Sequence, residues 1–245
     1  VGVELVVHSP IRTIETNLRE TEMMLLAAST TRTPVLITST SEVYGKSTKA
    51  AFSEDDDLLI GPPYLGRWSY ACSKLMDEFL GMGYYRERQL PVTIARLFNT
   101  VGPRQSGQYG MVLPRFVRSA LRGEPLRVFG TGEQTRCFCH VHDTVEALMR
   151  LMHTQAARGQ IYNIGGTEEI SIRRLAERVL ALTGSESKIE FVPYGEAYSP
   201  GFEDMQRRKP LIDKLRGTTG FEPRIGLEEI IRATAEYQAR SPARS

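Results

Sequence analysis

The stretch V-L-I-T-S-T-S-E-V-Y-G, from Val35 to Gly45, carries the strongest indication of the fold. It begins with an apolar run rich in β-branched residues, which Pro34 precedes and a cluster of Ser and Thr residues follows. Such a run, from Val35 to Thr38, is typical of a buried strand in a parallel sheet. Because ligands of open α/β sheets bind at the carboxyl ends of the strands, we expect these hydroxyl groups and Glu42 at a binding site.

A second stretch, R-W-S-Y-A-C-S-K, predicts a helix that begins at Ser69. Tyr70 and Lys74 are four residues apart, so they share one helix face, about 6 Å apart along the axis. A lysine cation beside a phenol favours the phenolate and lowers the pKa of the tyrosine. With a Ser or Thr hydroxyl from the preceding strand end to hold a substrate hydroxyl, this arrangement indicates alcohol oxidation or ketone reduction.

The Y-x-x-x-K pattern alone occurs often by chance on helices, and its context gives it weight. The chain also contains T-N-L-R-E-T-E from Thr16, R-L-F-N-T-V-G-P from Arg96, G-E-P-L-R-V-F-G-T-G-E-Q-T-R from Gly123 and R-R-K-P from Arg207. In this order the blocks resemble the extended short-chain dehydrogenase/reductases that modify nucleotide sugars, the NAD-dependent epimerase/dehydratase family. S-T-S-E-V-Y-G, Q-T-R-C-F and R-K-P are most similar to the UDP-glucuronate decarboxylases, which make UDP-xylose.

The resemblance implies an α/β fold: a Rossmann-like doubly wound parallel sheet, followed by a smaller α/β substrate-binding lobe. Residues 1–103 would be the remainder of the NAD-binding domain, with the helix that carries Tyr70 and Lys74. Residues 104–245 would mainly form the nucleotide-sugar-binding lobe, although about 136–155 would return to the Rossmann domain. The apolar runs predict a strand from Val92 to Phe98 and, in the second lobe, another from Ile161 to Ile164.

The glycine-rich loop of a dinucleotide-binding fold is missing from this sequence. Neither G-x-x-G-x-x-G nor G-x-G-x-x-G opens a helix anywhere. Since a Rossmann half needs two successive βαβ units of about 30 residues or more each, we expect roughly 70 to 80 residues with the pyrophosphate loop to be absent. The sequence leaves open whether this N-terminal truncation is natural.

The resemblance also implies three sets of site residues. The catalytic set is Tyr70, Lys74, Thr40, Ser41, Glu42 and Arg136. The cofactor-binding set is Tyr70, Lys74, Ser39, Phe98 and Val101. The substrate-binding set is Asn99, Val128, Phe129, Arg136 and Arg208. Arginine suits such a site because it places two donors on a phosphate or carboxylate, but Leu211 stands where the family usually has Asp after R-K-P.

In the mechanism that the resemblance implies, Tyr70 as phenolate removes the proton of the sugar's C4 hydroxyl while hydride passes to NAD. Thr40 hydrogen-bonds the substrate and Lys74 tunes Tyr70. With a carboxylate on C5, the 4-keto product is a β-keto acid that loses carbon dioxide. Ser41, Glu42 and Arg136 would orient that carboxylate, as charges aimed at the place where negative charge develops.

The pair Ser41–Glu42 separates members of the family, and two alternatives stay open. The 4,6-dehydratases have Asp-Glu at this place, the 4-epimerases usually have a small residue instead of the carboxylate, and the decarboxylases have Ser-Glu. UDP-glucuronate decarboxylation is therefore the leading hypothesis. The alternatives are a 4-epimerase of the UDP-glucose or UDP-glucuronate type, and a non-catalytic nucleotide-sugar-binding fragment that lacks the NAD loop.

The composition is ordinary for a globular protein and requires neither a nucleic acid nor a membrane as partner, and we expect a cytoplasmic protein. The net charge is +2 with no charged tail, and no apolar run approaches the roughly 18 residues of a membrane helix. The chain has three cysteines, which fits a reducing compartment. Cys137 and Cys139 share one face of a predicted strand, and we expect buried thiols there and no metal site.

A homodimer is expected from the resemblance, through a four-helix bundle that includes the Tyr70 helix. Its apolar outer positions, Leu75, Phe79, Met82 and Tyr85, suit an interface, although they suit an internal core face equally well. In the second lobe, the helix after C-F-C-H-V is expected to begin at Asp143 as N-cap, with Glu146 completing a capping box.

Overall fold

The structure, a computed structural model, describes residues 9–105, 111–193, 195 and 205–240. The α-helices are α1 (Pro10–Thr31), α2 (Ser69–Arg88), α3 (Val112–Leu121), α4 (Val141–His153), α5 (Ile172–Thr183), α6 (Asp213–Thr219) and α7 (Leu227–Arg240). The strands are β1 (Val35–Thr40), β2 (Val92–Leu97), β3 (Asn99–Val101), β4 (Leu126–Phe129), β5 (Thr135–His140), β6 (Gln160–Ile164), β7 (Glu169–Ser171) and β8 (Ile189–Val192). Within these ranges, no helix has the length and apolar composition needed to cross a bilayer.

The first sheet is parallel and, among the described residues, has the strand order β1-β2-β6. Ile37 of β1 pairs with Ile94 of β2, which in turn pairs with Ile161 of β6. Ile94 is fully buried at the centre of the sheet, between strands on both sides. The sheet confirms the prediction of a Rossmann-type parallel fold. Strands occur at the apolar runs that begin at Val35, Val92 and Ile161.

The position of β6 corrects one prediction. The strand was expected in the second lobe, but it pairs along β2 in the first sheet. Asn163 of β6 accepts a hydrogen bond from the Tyr44 hydroxyl and donates one to the carbonyl of Phe52. Tyr44 and Phe52 are buried residues that follow β1 in the chain. The segment that returns to the first sheet therefore extends to Ile164. The domain bounds otherwise stay predictions.

Helix α2 lies very close to the first sheet because Gly81 faces it. A Cβ at Gly81 would lie 2.6 Å from Cδ1 of Ile37 and 3.2 Å from Cγ1 of Val92. Helix α1 packs along α2. The close approach fixes the distance between the carboxyl end of β1 and the first turn of α2, where Tyr70 lies.

The second lobe is built around α3, α5 and α7, which share one hydrophobic core with β4. Strand β4 pairs in parallel with β8. Strand β5 pairs in parallel with β3 and antiparallel with β7. These pairings place β3, which directly follows β2 in the chain, beside β5.

Asp143 does not cap α4 as predicted. The helix begins two residues earlier, and the N-cap is His140, whose Nδ1 accepts a hydrogen bond from the backbone N–H of His142. The carboxylate of Asp143 instead accepts hydrogen bonds from the backbone amides of Arg224 and Ile225, at 3.0 and 2.9 Å. Asp143 therefore fixes the segment before α7 against α4.

Cys137 and Cys139 are buried thiols, as predicted. Burial raises the pKa of Cys137 to about 12 and that of Cys139 to about 11. The part of the chain that the structure describes contains no cluster of His, Cys, Asp and Glu side chains that would hold a metal ion.

Candidate active site

A cleft with a volume of about 540 Å³ lies at the carboxyl ends of β1 and β2 and reaches the start of α3. Most of the residues selected from the sequence line it. They are Ser39, Thr40, Glu42, Tyr70, Lys74, Phe98, Asn99, Val101, Phe129, Arg136 and Arg208. Ser41 is fully buried beside the cleft, whereas the side chain of Val128 lies in the core of the second lobe.

The turn after β1 presents Glu42 to this cleft and buries Ser41 beside it. Thr40 is still extended, and its hydroxyl accepts a hydrogen bond from the backbone N–H of Glu42 at 3.3 Å. The chain then makes a single 3-10 turn and leaves it at Gly45, whose φ of 57° favours glycine. A Cβ at Gly45 would lie 2.2 Å from the carbonyl oxygen of Leu59. The turn is therefore tightly packed against the following loop.

Tyr70 lies in the first turn of α2, where its phenol interacts with the Thr40 hydroxyl. Burial raises the pKa of Tyr70 to about 12, and the charges of Glu42 and Asp77 act in the same direction, while Arg208 and Thr40 oppose them. The net shift of the pKa of Tyr70 is thus upward, opposite to the lowering expected from the sequence, while the effect of Lys74 itself stays a prediction. These surroundings favour the protonated phenol over the phenolate.

Lys74 is paired with a carboxylate one turn further along α2. Its Nζ donates to Oδ2 of Asp77 at 2.7 Å, and Asp77 is fully buried. The other carboxylate oxygen of Asp77 has no hydrogen-bond partner among the described residues. Since an ammonium group has three donors, Lys74 keeps donors for a ligand in the cleft.

The cofactor residues selected from the sequence are placed unevenly. Phe98 and Val101 line the cleft and are almost fully buried. The hydroxyl of Ser39 donates to Oε1 of Glu78 at 2.5 Å, inside the protein. The proton of the Ser39 hydroxyl is therefore engaged by Glu78, and a role of Ser39 in cofactor binding stays a prediction.

Glu42 is surrounded by arginine side chains. It forms an ion pair with Arg67 and a second one, at 3.5 Å, with Arg208. Burial by itself raises the pKa of Glu42, but the charges of Arg67, Arg208 and Arg136 and the hydrogen bond from Arg67 lower it below its ordinary value. Glu42 is therefore a carboxylate in a cleft that carries a net positive charge.

Arg208 lies at the end of the cleft nearest to the buried Ser41. Its Nη2 donates to the Ser41 hydroxyl at 2.6 Å. The segment around it is held by Phe52, whose backbone N–H donates to the carbonyl of Lys209 and whose carbonyl accepts from the N–H of Leu211, both at 2.8 Å. Leu211, where the family usually has Asp, is partly exposed and takes part through its backbone.

Arg136 and Asn99 are anchored to backbone carbonyl groups. Nη1 of Arg136 donates to the carbonyls of Thr135 and Met205, both at 2.8 Å. Nδ2 of Asn99 donates to the carbonyl of Cys137 at 2.9 Å, across the β3–β5 pair. These bonds fix both side chains at the cleft wall.

Phe129 forms the wall at the far end of the cleft. The guanidinium carbon of Arg115 lies 4.4 Å from the centre of its ring, so one face of the ring is covered by a cation. The neighbouring Val128 points away into the core. Only Phe129 of the V-F pair is thus available for stacking.

Arg67 is the main site residue that was not selected from the sequence. It precedes Tyr70 by three residues, and its side chain is almost fully buried against Glu42. Its position about one turn before Tyr70 is the signal in the sequence that could have found it. Its partner, however, lies 25 positions earlier in the chain.

Comparisons with known proteins agree with this geometry. Residues 1–234 match the protein family described as GDP-mannose 4,6 dehydratase. The chain is 44% identical over 237 residues to UDP-N-acetyl-alpha-D-glucosaminuronate decarboxylase of Bacillus cytotoxicus, covering 96% of this chain and 73% of the relative. It is 36% identical to UDP-glucuronic acid decarboxylase 1 of Danio rerio, covering 95% of this chain and 54% of that one. The chain therefore spans between about half and three quarters of these relatives.

A solved structure is also similar. UDP-glucuronic acid 4-epimerase from Bacillus cereus, in complex with UDP-glucuronic acid and NAD, superposes with a TM-score of 0.78. The two sequences are 28% identical, and the match covers 91% of this chain and 67% of the epimerase.

Proposed function

Because this chain belongs to the GDP-mannose 4,6 dehydratase family, we propose that it is the catalytic and substrate-binding part of an NAD-dependent decarboxylase of a UDP-linked uronic acid. The observation that carries the proposal is the grouping of Tyr70, Thr40 and Lys74 with the Ser41–Glu42 pair in one cationic cleft. The relatives named as decarboxylases of UDP-glucuronate and of its N-acetylamino counterpart support it.

The first chemical step occurs at C4 of the sugar. Thr40 holds the C4 hydroxyl by a hydrogen bond. Tyr70, after losing its own proton, takes up the proton of this hydroxyl as a phenolate while the hydride leaves C4 and the ketone forms. NAD supplies the hydride acceptor for this oxidation. Lys74 turns its free donors toward the cofactor side of the cleft and keeps Asp77 paired.

The second step is the loss of the C5 carboxylate. The 4-keto sugar is a β-keto acid, so the bond between C5 and the carboxyl carbon breaks, carbon dioxide leaves, and the electron pair passes to the C4 oxygen as an enolate. C5 then takes up a proton, and reduction of the ketone restores the hydroxyl. The positive charges of Arg136 and Arg208 stabilise the carboxylate before cleavage and the enolate after it.

The residues present fit one end of an NAD molecule. Lys74 has unused ammonium donors in the cleft, and Phe98 and Val101 offer an apolar wall beside Tyr70. The UDP-glucuronic acid 4-epimerase to which the chain is similar is described in complex with NAD. No glycine-rich pyrophosphate loop occurs in this sequence. The end of NAD that these residues would bind is therefore the nicotinamide end.

A 4-epimerase is the second candidate. The epimerase neighbour favours it, since it shares the fold and acts on the same class of sugar. Glu42 argues against it, because an epimerase has no step for which a buried carboxylate at this place is needed. A non-catalytic nucleotide-sugar-binding fragment is the third candidate.

We also propose that the protein is a homodimer joined through α1 and α2. The outer faces of these two packed helices expose large apolar side chains, among them Met23, Met76 and Phe79. Of the four positions selected from the sequence for an interface or a core face, Phe79 belongs to this exposed group. Leu75 and Met82 pack against the core instead, and the Tyr85 ring lies on Gly159.

The test is a product assay. The chain is incubated with NAD and UDP-glucuronate, and in parallel with UDP-N-acetylglucosaminuronate, and the products are followed by NMR. Release of carbon dioxide with formation of the pentose nucleotide, abolished in Tyr70→Phe, supports decarboxylation. Formation of UDP-galacturonate supports the epimerase, and binding of the sugar nucleotide without turnover supports the non-catalytic fragment.

A further inference from the structure

Arg67 is buried in an unusual position for a guanidinium. It lies in the single 3-10 turn Gly66–Trp68 that leads directly into α2, and its residue is only 3% exposed. Its Nη1 forms an ion pair and hydrogen bond with Oε2 of Glu42. The turn connects to the helix at Ser69, so Arg67 is tied to the same rigid element as Tyr70.

The other cations near Glu42 are held differently. Arg208 shares its guanidinium between the Ser41 hydroxyl at 2.6 Å and Oε1 of Glu42 at 3.5 Å. Arg136 is anchored to two backbone carbonyls, and its charge lowers the pKa of Glu42. All three arginines line the cleft, where anionic groups of a nucleotide sugar would bind, and Arg67 is buried against Glu42 at its wall.

Arg208 therefore has two competing uses. A phosphate or carboxylate accepts two parallel hydrogen bonds from a guanidinium, which is a stronger arrangement than the long bond to Glu42. When Arg208 turns to such a ligand, Glu42 loses one of its partners. A buried carboxylate without a partner is costly and becomes protonated or moves.

We propose that Arg67 is a positioning residue, which rests on the proposed function: it holds the Glu42 carboxylate in place while Arg208 exchanges Ser41 and Glu42 for the anionic groups of the bound nucleotide sugar. Glu42 then keeps the same charge and orientation with and without substrate. Arg67 acts through Glu42 and does not contact the reacting atoms. The inference assigns different roles to Arg67 and Arg208, although both are arginines bonded to the same carboxylate.

The charges that face Glu42 make the inference measurable. The charged groups are Arg67 from the turn before α2, and Arg208 and Arg136 from the second half of the chain. The titratable phenol of Tyr70, from α2, also lies near Glu42. Among these, the charge of Arg67 lowers the pKa of Glu42 the most. Removing Arg67 leaves Glu42 with its weaker partners.

The experiment follows the carboxyl resonance of Glu42 by NMR in the 245-residue chain with isotope-labelled glutamate, assigned by its loss in Glu42→Gln. Without ligand, Arg67→Met is expected to raise the titration midpoint by about 1 to 3 units, and Arg208→Met by clearly less. Arg178→Met, which removes an exposed pair with Glu228, is the matched control and leaves the midpoint unchanged. Arg67→Lys keeps the charge without the fork, so a midpoint between wild type and Arg67→Met is expected, and this variant stands in if Arg67→Met does not fold.

Addition of UDP-glucuronate gives the second readout. In the wild type the midpoint of Glu42 stays low when the nucleotide sugar binds, whereas in Arg67→Met it rises further as Arg208 leaves. A larger effect of Arg208→Met than of Arg67→Met in the ligand-free chain overturns the inference. Failure of the chain to bind UDP-glucuronate overturns the proposed function alone, because the ligand-free titration does not depend on it.

Discussion

The guanidinium of Arg208 donates a hydrogen bond to the hydroxyl of Ser41 at 2.6 Å, although 167 positions separate the two residues in the chain. The bond joins the segment around R-R-K-P to the turn that follows β1. Both ends are fixed, since the segment is clamped through the backbone of Phe52 and the turn is tightly packed at Gly45. The anion-binding end of the cleft is thus assembled from opposite halves of the sequence.

The first prediction concerns Arg208. Arg208→Met is expected to weaken the binding of UDP-glucuronate by about 10- to 100-fold, because a charge-assisted hydrogen bond to a bound anion is lost. Calorimetric titration with UDP-glucuronate measures this, and titration with UDP separates the carboxylate from the diphosphate. The neighbouring Arg207→Met is the control, since Arg207 is exposed and pairs with Glu169 outside the cleft. Equal losses in the two variants would contradict the assignment.

The second prediction concerns the ionisation of Tyr70. Its pKa is raised to about 12, so in the ligand-free chain the phenol is expected to stay protonated at pH values where an ordinary tyrosine, with a pKa of about 10, is ionised. Glu42→Gln removes a negative charge that raises this pKa, so it is expected to lower the pKa of Tyr70. The ring-carbon resonance, assigned by Tyr70→Phe, reports the midpoint. If Tyr70 titrated below 10 and Lys74→Met raised that value, Lys74 would control Tyr70 as the sequence suggested.

Elements with a strong local signal could be predicted from the sequence. Helix α3 occupies Val112–Leu121, and its apolar spacing and the Gly123 that follows it are local features of the sequence. The strand at Val35 was equally clear. The strand from Gln160 to Ile164 was also recognised, but its place beside β2 is a matter of topology, which an apolar run does not encode.

Side-chain partners could not be ranked from the sequence alone. Tyr70 and Asp77 both lie within one turn of Lys74 on α2, and the structure pairs Lys74 with Asp77. Asp143 fits a capping box, yet the ring of His140 caps the helix first, and the carboxylate binds amides 81 and 82 positions away. In each case a tertiary contact outweighs a local pattern.

The third prediction concerns a buried ion pair below the cleft. Arg96 of β2 donates hydrogen bonds to both carboxylate oxygens of Glu78 on α2. Glu78 also accepts a hydrogen bond from the Ser39 hydroxyl. Arg96→Met leaves Glu78 as an unpaired buried charge, and we expect a loss of about 3 to 5 kcal/mol in the free energy of unfolding. Urea denaturation followed by circular dichroism measures it. Arg178→Met, which breaks the exposed pair with Glu228, should cost less than about 1 kcal/mol, so similar losses in both variants would refute a structural role for the buried pair.

The last prediction concerns the proposed dimer. The side chain of Phe79 projects from the outer face of α2 with 67% of the residue exposed, next to Met76 at 54%. Burying such side chains against their copies would remove apolar area from water, whereas a carboxylate there would need to be desolvated.

Phe79→Glu is therefore expected to halve the mass measured by light scattering and to leave the circular dichroism spectrum unchanged, because Phe79 belongs to none of the described core clusters. Phe191→Glu changes an equally apolar, 48% exposed side chain on β8 and should leave the mass at that of the wild type. A wild-type chain that is monomeric at all concentrations, or a Phe79→Glu variant that remains dimeric, would show that α2 does not form the interface. Dissociation by Phe79→Glu alone would place the self-association surface on the helix that carries Tyr70, so that assembly and the catalytic face share one rigid element.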